Sequence, residues 1–322
     1  MDSEAEYGPQ QVAPALAVIR AQGRINKGDW PQSAPNPQAL GLVIQGEHIT
    51  LPPSMTLHDA DYLAHRLREQ WGSQPAAPTL KVFDVVDSTN TQMAQLANTQ
   101  SIAGHIYLAE FQSSGRGRRG RQWLGGYGRN IAMTVGWRCQ QGLSELGGLS
   151  CVVGIALIQV LEQFGVNAHI KWPNDIWVED RKLSGVLVEL AQTSSGIMAM
   201  VGIGLNVSLT AEELDQVDQD ITSLSALGIA ASRDDLVLAI TQALLNNFAV
   251  FEAEGFAVFV PAFNAVHRLH NQQATLHLGE TQRQGIVRGL DTHGALLFEE
   301  ASGVSTIQGG EVSLRPTFQN KA

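Results

Sequence analysis

The stretch Gly115-Arg-Gly-Arg-Arg-Gly120, continued by Arg121-Gln-Trp-Leu-Gly-Gly-Tyr-Gly128, decides between two kinds of α/β fold. By spacing alone it is GxGxxG, the glycine fingerprint of a doubly wound dinucleotide-binding sheet. That fingerprint works where a strand hands over to a helix, because the helix N-terminus holds the pyrophosphate. Here the glycines lead into a second glycine-rich turn and then the strand-like run Asn130–Trp137, and arginines fill the variable positions. The doubly wound reading fails on that context. Arginines crowded this closely repel one another unless an anion joins them, so a loop loose when empty and ordered over a phosphate-bearing ligand is expected. A basic run is more often a solvated patch, but flanking Gln112 and Trp123 add the hydrogen-bonding and stacking groups of a ligand site.

Outward from this loop the pattern is densely α/β. Strands are expected at Lys81–Val86, His105–Glu110, Asn130–Trp137, His169–Trp172, Asp175–Val178, Lys182–Leu190 and Ile197–Val207. The short turns Trp172–Asp175 and Glu179–Arg181 between consecutive strands require antiparallel pairing, so the sheet is mixed. One helix is expected from Asp87/Ser88. A second carries Leu146, Leu149, Val152, Val153, Ala156, Leu157, Val160, Leu161 and Phe164 at helical spacing, and a third opens at Ser232 and runs to about Glu254. After Asn271, five short strands between turns (Ala274–Leu278, Gln284–Leu290, Ala295–Phe298, Val304–Gln308, Glu311–Leu314) imply a small β-barrel module. Before residue 80 lie a helix over Val12–Arg24, a proline-broken stretch, a hairpin over Leu40–Leu51 and a helix from a Thr56 cap through Leu67.

The chain of 322 residues carries −10, which argues against a surface that grips nucleic acid or an anionic membrane throughout. The charge is uneven. Residues 111–188 hold nine basic and five acidic side chains, net +4, leaving −14 on the other 244, so a compact anionic ligand is expected there. The two cysteines, Cys139 and Cys151, form no metal-ligand spacing, the acidic start lacks a signal-peptide pattern, and the apolar run Leu149–Leu161 is short for a bilayer. A soluble, cytoplasmic protein is expected.

Three further clusters carry chemistry. In His169-Ile-Lys-Trp-Pro-Asn-Asp-Ile-Trp177, Pro173 forces a tight turn that sets Asn174 and Asp175 at a strand end; they could hold Mg²⁺ on phosphates, or simply form an Asx-turn. Lys182 starts a strand beside Gly185, which leaves room for close ligand approach. Asp87-Ser88-Thr89-Asn90 is either a plain N-cap or a helix start that binds a polar or anionic head group. Gly202-Ile-Gly-Leu-Asn206 permits backbone approach and by itself says little. No nucleophile–base arrangement is apparent and the histidines read as structural, so catalysis by positioning and electrostatic stabilisation is implied.

Taken in order, DSTN (87–90), EFQSSGRGRRGRQW (110–123), KWPNDI (171–176), RKLSGVLVEL (181–190), GIGLN (202–206) and QGGEVSLR (308–315) closely resemble bacterial biotin protein ligase, over about Leu40–Arg315. Lipoate ligases share the fold but lack the arginine loop with KWPND, and are the weaker match. The resemblance implies a mixed sheet like that of class II aminoacyl-tRNA synthetases over residues 80–268, an SH3-like barrel over 271–317, and a reduced winged-helix remnant over 1–70. It implies biotin and Mg·ATP as substrates, biotinyl-5′-AMP as intermediate, and a lysine of biotin carboxyl carrier protein (acetyl-CoA carboxylase) as acceptor, with a homodimer through the sheet edge. By matched position, Ser88, Thr89, Asn90, Gln112, Gly115, Arg116, Gly117, Arg118, Lys182 and Gly185 line the biotin and adenylate site, with Lys182 and Arg118 catalytic. Trp123 packs near the adenine, Asn206 closes the pocket, Arg315 reaches the nucleotide, and Asn174 and Asp175 face Mg²⁺.

Bifunctional members of that family also repress the biotin operon through an N-terminal winged helix-turn-helix. The corresponding recognition-helix region here is Pro31-Gln-Ser-Ala-Pro-Asn-Pro37, and three prolines in seven residues do not make a helix that reads a major groove. Residues 1–40 hold only Arg20, Arg24 and Lys27 as basic groups. A ligase with at most weak operator binding is therefore expected.

Overall fold

The computed structural model describes residues 9–53, 55–72, 77–194, 196–215, 217, 219–278, 281–309 and 312–316; of residues 9, 10, 211, 212, 312, 313, 315 and 316 it describes the backbone alone. In chain order the elements are α1 (Pro9–Gln22), β1 (Arg24–Asn26), β2 (Val43–Gln45), β3 (His48–Thr50), α2 (Ala60–Trp71), β4 (Thr79–Val86), α3 (Thr89–Ala97), β5 (His105–Gln112), β6 (Ile131–Cys139), α4 (Leu149–Gln163), β7 (His169–Lys171), β8 (Asp175–Val178), β9 (Arg181–Thr193), β10 (Gly196–Leu205), α5 (Ala211–Asp215), α6 (Arg233–Glu254), α7 (Val260–Val266), β11 (Gln273–Leu278), β12 (Thr281–Leu290), β13 (Leu296–Glu300), β14 (Gly303–Ile307) and β15 (Val312–Pro316).

Seven strands form the central sheet in the order β4-β5-β6-β10-β9-β8-β7. Only β4 and β5 pair in parallel; the rest are antiparallel, as the tight turns require. The mixed sheet expected from the sequence is therefore present, and so is a separate five-stranded antiparallel C-terminal sheet, order β14-β13-β12-β11-β15. Two of the turns expected there, at Gly279 and Gly309-Gly310, lie wholly or partly outside the described residues. Helices α4 and α6 lie together against the sheet, and their apolar residues join β-strand residues of both sheets in one core. Both helices are long and apolar enough to cross a membrane, the first when counted from Leu143, but most of each is buried inside the protein, which is the environment that explains their apolarity.

The N-terminal part has its own small core. Val12, Ala15, Leu16 and Ile19, one stripe of α1, pack on Ile25, Leu40, Leu42 and Ile49, and also on Phe111 and Tyr127 of the central layer. The hairpin β2–β3 is as expected, but a third strand, β1, adds to its edge; three residues after Gly23 are too short a run to show as a strand by pattern. Residues 31–36 contain no helix, and Pro37 opens a single 3₁₀ turn, Pro37–Leu40, capped by Asn36.

One expectation is corrected. The helix expected from a Thr56 cap starts three residues later, at Ala60, and the Asp59 side chain accepts from the Tyr62 backbone N–H at 2.9 Å. Thr56 is held elsewhere: its carbonyl accepts from Arg233, and the His58 backbone N–H donates to Glu110 at 2.7 Å, which keeps 56–58 extended. By packing, α2 belongs with the central layer, since Leu63, Leu67 and Trp71 enter its core.

Glu110, fully buried, pins these parts together. It accepts from Arg20 of α1 at 2.7 Å and from Arg233 of α6 at 2.5 Å, while Arg20 also pairs with Asp84. Burial pushes the Glu110 carboxyl up, but the charges of Arg233 and His58 and the hydrogen bonds outweigh it and hold it below the usual carboxylate range. Glu110→Gln leaves Arg233 buried without its counter-charge and is expected to cost about 3–5 kcal/mol in urea unfolding. Because the folded value is the lower one, the wild-type contribution is complete above the ordinary carboxylate range and is lost as pH falls through the folded value. The gap between the two proteins should narrow in acid, and a gap constant with pH would count against the assignment.

Candidate active site

The site grows from strand register. β10 pairs with β9 so that Gly204 faces Gly185, and with β6 so that Gly202 faces Thr134. A Cβ on Gly204 would stand 2.3 Å from Trp123 Cε2, and one on Gly202 would stand 2.3 Å from Asn90 Oδ1. The glycines thus make a floor on which an aromatic ring and the start of α3 lie directly.

A bulge sets the lysine. Lys182 and Gly185 are an odd number of residues apart, which in a regular strand puts them on opposite faces. The β8–β9 register runs Asp175↔Gly185, Ile176↔Ser184, then Trp177↔Lys182, so Leu183 is the extra residue and both Lys182 and Gly185 turn to the site. Lys182 Nζ lies 2.8 Å from Asp175 Oδ1 and 5.7 Å from the centre of the Trp123 ring.

The arginine loop is a small hairpin. Trp123 N–H donates to the Gly115 carbonyl at 2.8 Å, Arg116 bridges to Gln122, and Gly117 N–H donates to the Arg121 carbonyl at 2.7 Å. Arg119 and Gly120 turn its tip at positive φ, 62° and 71°. Gly115 is required here, because a Cβ would meet the Trp123 carbonyl oxygen at 2.3 Å. From the hairpin, Arg118 donates to Asn174 Oδ1 at 3.0 Å and Arg116 pairs with Glu189 at 2.9 Å. Burial, the largest influence, pulls the Arg118 guanidinium below its usual value; Asp175 opposes this and Arg119 adds to it.

At the other end stands the N-terminus of α3. Ser88 occupies the N-cap position without its hydroxyl closing the cap bond. Instead Gln112 Oε1 accepts from Thr89 N–H at 2.8 Å and from Thr89 Oγ1 at 3.1 Å. Thr134 Oγ1 lies 2.8 Å from Thr89 Oγ1 and 2.6 Å from Asn90 Oδ1, its one proton serving one of them. Asn90 Nδ2 donates to Glu189 at 2.9 Å.

These residues surround a narrow cavity of about 50 Å³ lined by Ser88, Thr89, Asn90, Gln112, Arg116, Gly117, Arg118, Trp123, Asn174, Lys182, Gly185, Gly202 and Gly204. Gly115 lines a second cavity, of about 1140 Å³, which shares Arg116–Arg118 as a wall and reaches Pro173, Cys151 and, from the C-terminal sheet, Gly294 and Gln308. Burial pushes the Cys151 thiol up to about 12, so it stays protonated.

Most residues singled out in the sequence therefore meet in space, and two stand apart. Asn206 lines neither cavity: its Nδ2 donates to the Thr222 carbonyl, and Thr222 N–H donates to the Lys182 carbonyl, so it braces the lysine's backbone from behind. Arg315 sits on β15 opposite Thr275, and its side chain is outside the described residues. Sequence reading missed Thr134 and Glu189. Glu189 carried a legible signal, being on the same alternation as Gly185 and Leu187; Thr134 became visible only through its register with Gly202.

A slot lined by hydroxyls, amides and cations over Met133, Leu187 and Ile203, beside a large cavity shared between a mixed sheet and a small β-module, is a site suited to an anionic ligand. The biotin/lipoate A/B protein ligase family model matches residues 82–207, and the biotin protein ligase C-terminal domain model matches 270–315. The chain is 34% identical over 321 residues to the "Bifunctional ligase/repressor BirA" of Salmonella typhimurium, covering 98% of this chain and 94% of that protein. It is 31% identical to the biotin–[acetyl-CoA-carboxylase] ligase of Paracoccus denitrificans, covering 70% of this chain and 96% of the relative. Among solved structures, the Aquifex aeolicus biotin protein ligase in complex with biotin and ATP superposes with a TM-score of 0.64 at 28% identity, covering 74% of this chain and 99% of that one. The chain belongs to this family, among its biotin protein ligases.

Gly204→Ala tests the floor. Its methyl lifts Trp123 from the sheet, and adenylate formation is expected to fall by about tenfold or more, since a displacement of about 1 Å can cost on that order. Wild-type turnover in a folded Gly204→Ala protein would remove Trp123 from the site.

Proposed function

We propose that this site condenses biotin with ATP to biotinyl-5′-AMP, releasing pyrophosphate, and then passes the biotinyl group to a lysine of biotin carboxyl carrier protein. The observation that carries this reading is the composition of one slot, which brings the hydroxyls and amides of Ser88, Thr89, Asn90 and Gln112 together with the cations Lys182, Arg116 and Arg118. In the first step a biotin carboxylate oxygen attacks the α-phosphorus and the bond to pyrophosphate breaks. Two anions must approach, and Lys182 and Arg118 screen their repulsion; hydrogen bonds to such charged groups are worth about 1.5–3 kcal/mol each. In the second, the acceptor amine attacks the acyl carbon and AMP leaves. The hairpin, set between the slot and the larger cavity, keeps water from the mixed anhydride.

Asn174 and Asp175 would hold Mg²⁺ through one amide and one carboxylate oxygen, hard donors of the kind that ion takes alongside substrate phosphates; in the unliganded protein these oxygens meet Arg118 and Lys182. When bound, the ion would neutralise phosphate charge. Arg315 is proposed to reach the nucleotide from the C-terminal part. The division into residues 1–70, 80–268 and 271–317 is part of the same reading, with α2 packing across the first boundary onto the central layer, and so is a cytoplasmic setting. Homodimerisation is supported by the edge of β9: β8 covers it only from Arg181 to Gly185, and among the described residues no strand pairs with Leu187–Thr193 on that side.

The names of the bifunctional relatives favour a second reading, a biotin-responsive repressor. Against strong operator binding stand the stretch 31–37, which holds no α-helix, and the commitment of Arg20 to Asp84 and Glu110. In gel shifts, biotin and ATP should not produce tight operator binding; tight, biotin-dependent binding would reverse this reading. For the ligase, labelled ATP with biotin should yield adenylate and with lipoate should not. Lys182→Ala should abolish biotin-dependent ATP–pyrophosphate exchange in a folded protein, and exchange at the normal rate would end the role assigned to Lys182.

A further inference from the structure

Glu189 lies near the end of the run RKLSGVLVEL, where the resemblance gives roles to Lys182 and Gly185 and none to Glu189, yet it touches two other motifs of the site. It lies on β9 four residues beyond Gly185, on the same side of the strand. Its Oε1 is 2.9 Å from Arg116 NH2, and its Oε2 is 3.5 Å from Arg116 NH1 and 2.9 Å from Asn90 Nδ2. One carboxylate therefore ties the base of the arginine hairpin to the buried first turn of α3. Asn90 is otherwise held by the Leu187 carbonyl at 3.3 Å and by Thr134.

The hairpin's own backbone bonds close it on itself and do not attach it to the sheet. Attachment needs side chains, and a segment crowded with arginines needs a fixed negative charge beside it. Arg118 reaches Asn174 near the tip, and Arg116 reaches Glu189 at the base. The Arg116 side chain is 48% exposed and that of Glu189 27%, so water and salt weaken the pair. A weak tie is what a covering segment requires, since it must open for substrates and close again.

We propose that Glu189 is the latch of the arginine hairpin: a positioning residue that holds the hairpin over the slot and, through its second oxygen, orients Asn90 at the slot's polar end. The consequence for the retained adenylate rests on the ligase reading above; the latch itself does not. Glu189→Gln separates the two contacts. The glutamine carbonyl still accepts from Asn90, while its amide group presents donors to a guanidinium that has only donors.

The hairpin's arginines are themselves trypsin sites, which makes its release directly readable in the full-length, ligand-free protein. Glu189→Gln should speed cleavage within 116–121 by about three- to fivefold at low salt, the scale of an exposed ion pair. Raising NaCl from about 50 mM to about 500 mM should bring the wild type toward the variant's rate and leave the variant unchanged. In the ligase reaction, Glu189→Gln should release pre-formed biotinyl-AMP to water about three- to fivefold faster, whereas Glu189→Ala should also raise the KM for biotin. Wild-type tryptic rates in Glu189→Gln, or salt-independent cleavage of the wild type, would overturn the latch even if ligation is normal. The expected cleavage pattern in a wild-type protein that forms no biotinyl-AMP would leave the latch standing and remove the ligase reading.

Discussion

The pairing of β9 with β10 is the constraint on which the site depends. It sets Gly185 opposite Gly204, and the absence of two side chains there lets Trp123 lie on the sheet itself. The neighbouring pairing of Gly202 with Thr134 does the same for Asn90. Once ring and helix start rest at that depth, the arginine hairpin that precedes Trp123 has nowhere to lie but across the slot. Any side chain on the floor would raise the roof, so geometry at the cations is decided by what is missing beneath them.

Electrostatics then arranges the rest. The cations of the site each meet a partner in the unliganded protein: Lys182 with Asp175, Arg118 with Asn174, Arg116 with Glu189. The Arg116–Glu189 pair is exposed enough to exchange for phosphate oxygens at small cost, whereas the Lys182–Asp175 pair is mostly buried. The other charged cluster, around Glu110, is the opposite case. Its centre, Glu110 with Arg233, is deeply buried, and the cluster joins α1, the 56–58 segment and α6 and serves the fold. Arg20, one of the few basic groups of the N-terminal part, is consumed by it.

Much of this was legible in the residues themselves. Turn lengths around Trp172–Asp175 and Glu179–Arg181 dictated antiparallel strands, and the context of GRGRRG excluded a doubly wound sheet. Apolar spacing marked the helices α4 and α6, whose length and apolarity reflect burial. What pattern does not show is short or exceptional. Strand β1 is three residues long, Asp59 replaces Thr56 as cap because tertiary bonds hold the preceding segment extended, and Asn206 proves to be a brace one residue layer behind Lys182.

The amino-acid order by itself determined which chemistry is available: a polar helix start, an arginine-rich hairpin, a proline-turned Asn-Asp pair and one lysine, with a broken N-terminal reader. Tertiary structure decided which of these meet. The bulge at Leu183 reverses strand alternation and brings Lys182 to the face of Gly185, and strand register carries Thr134 to the slot from a distant part of the chain. Both effects depend on how strands pair. Pairing is set by packing over the whole sheet, so a local run of residues cannot encode it.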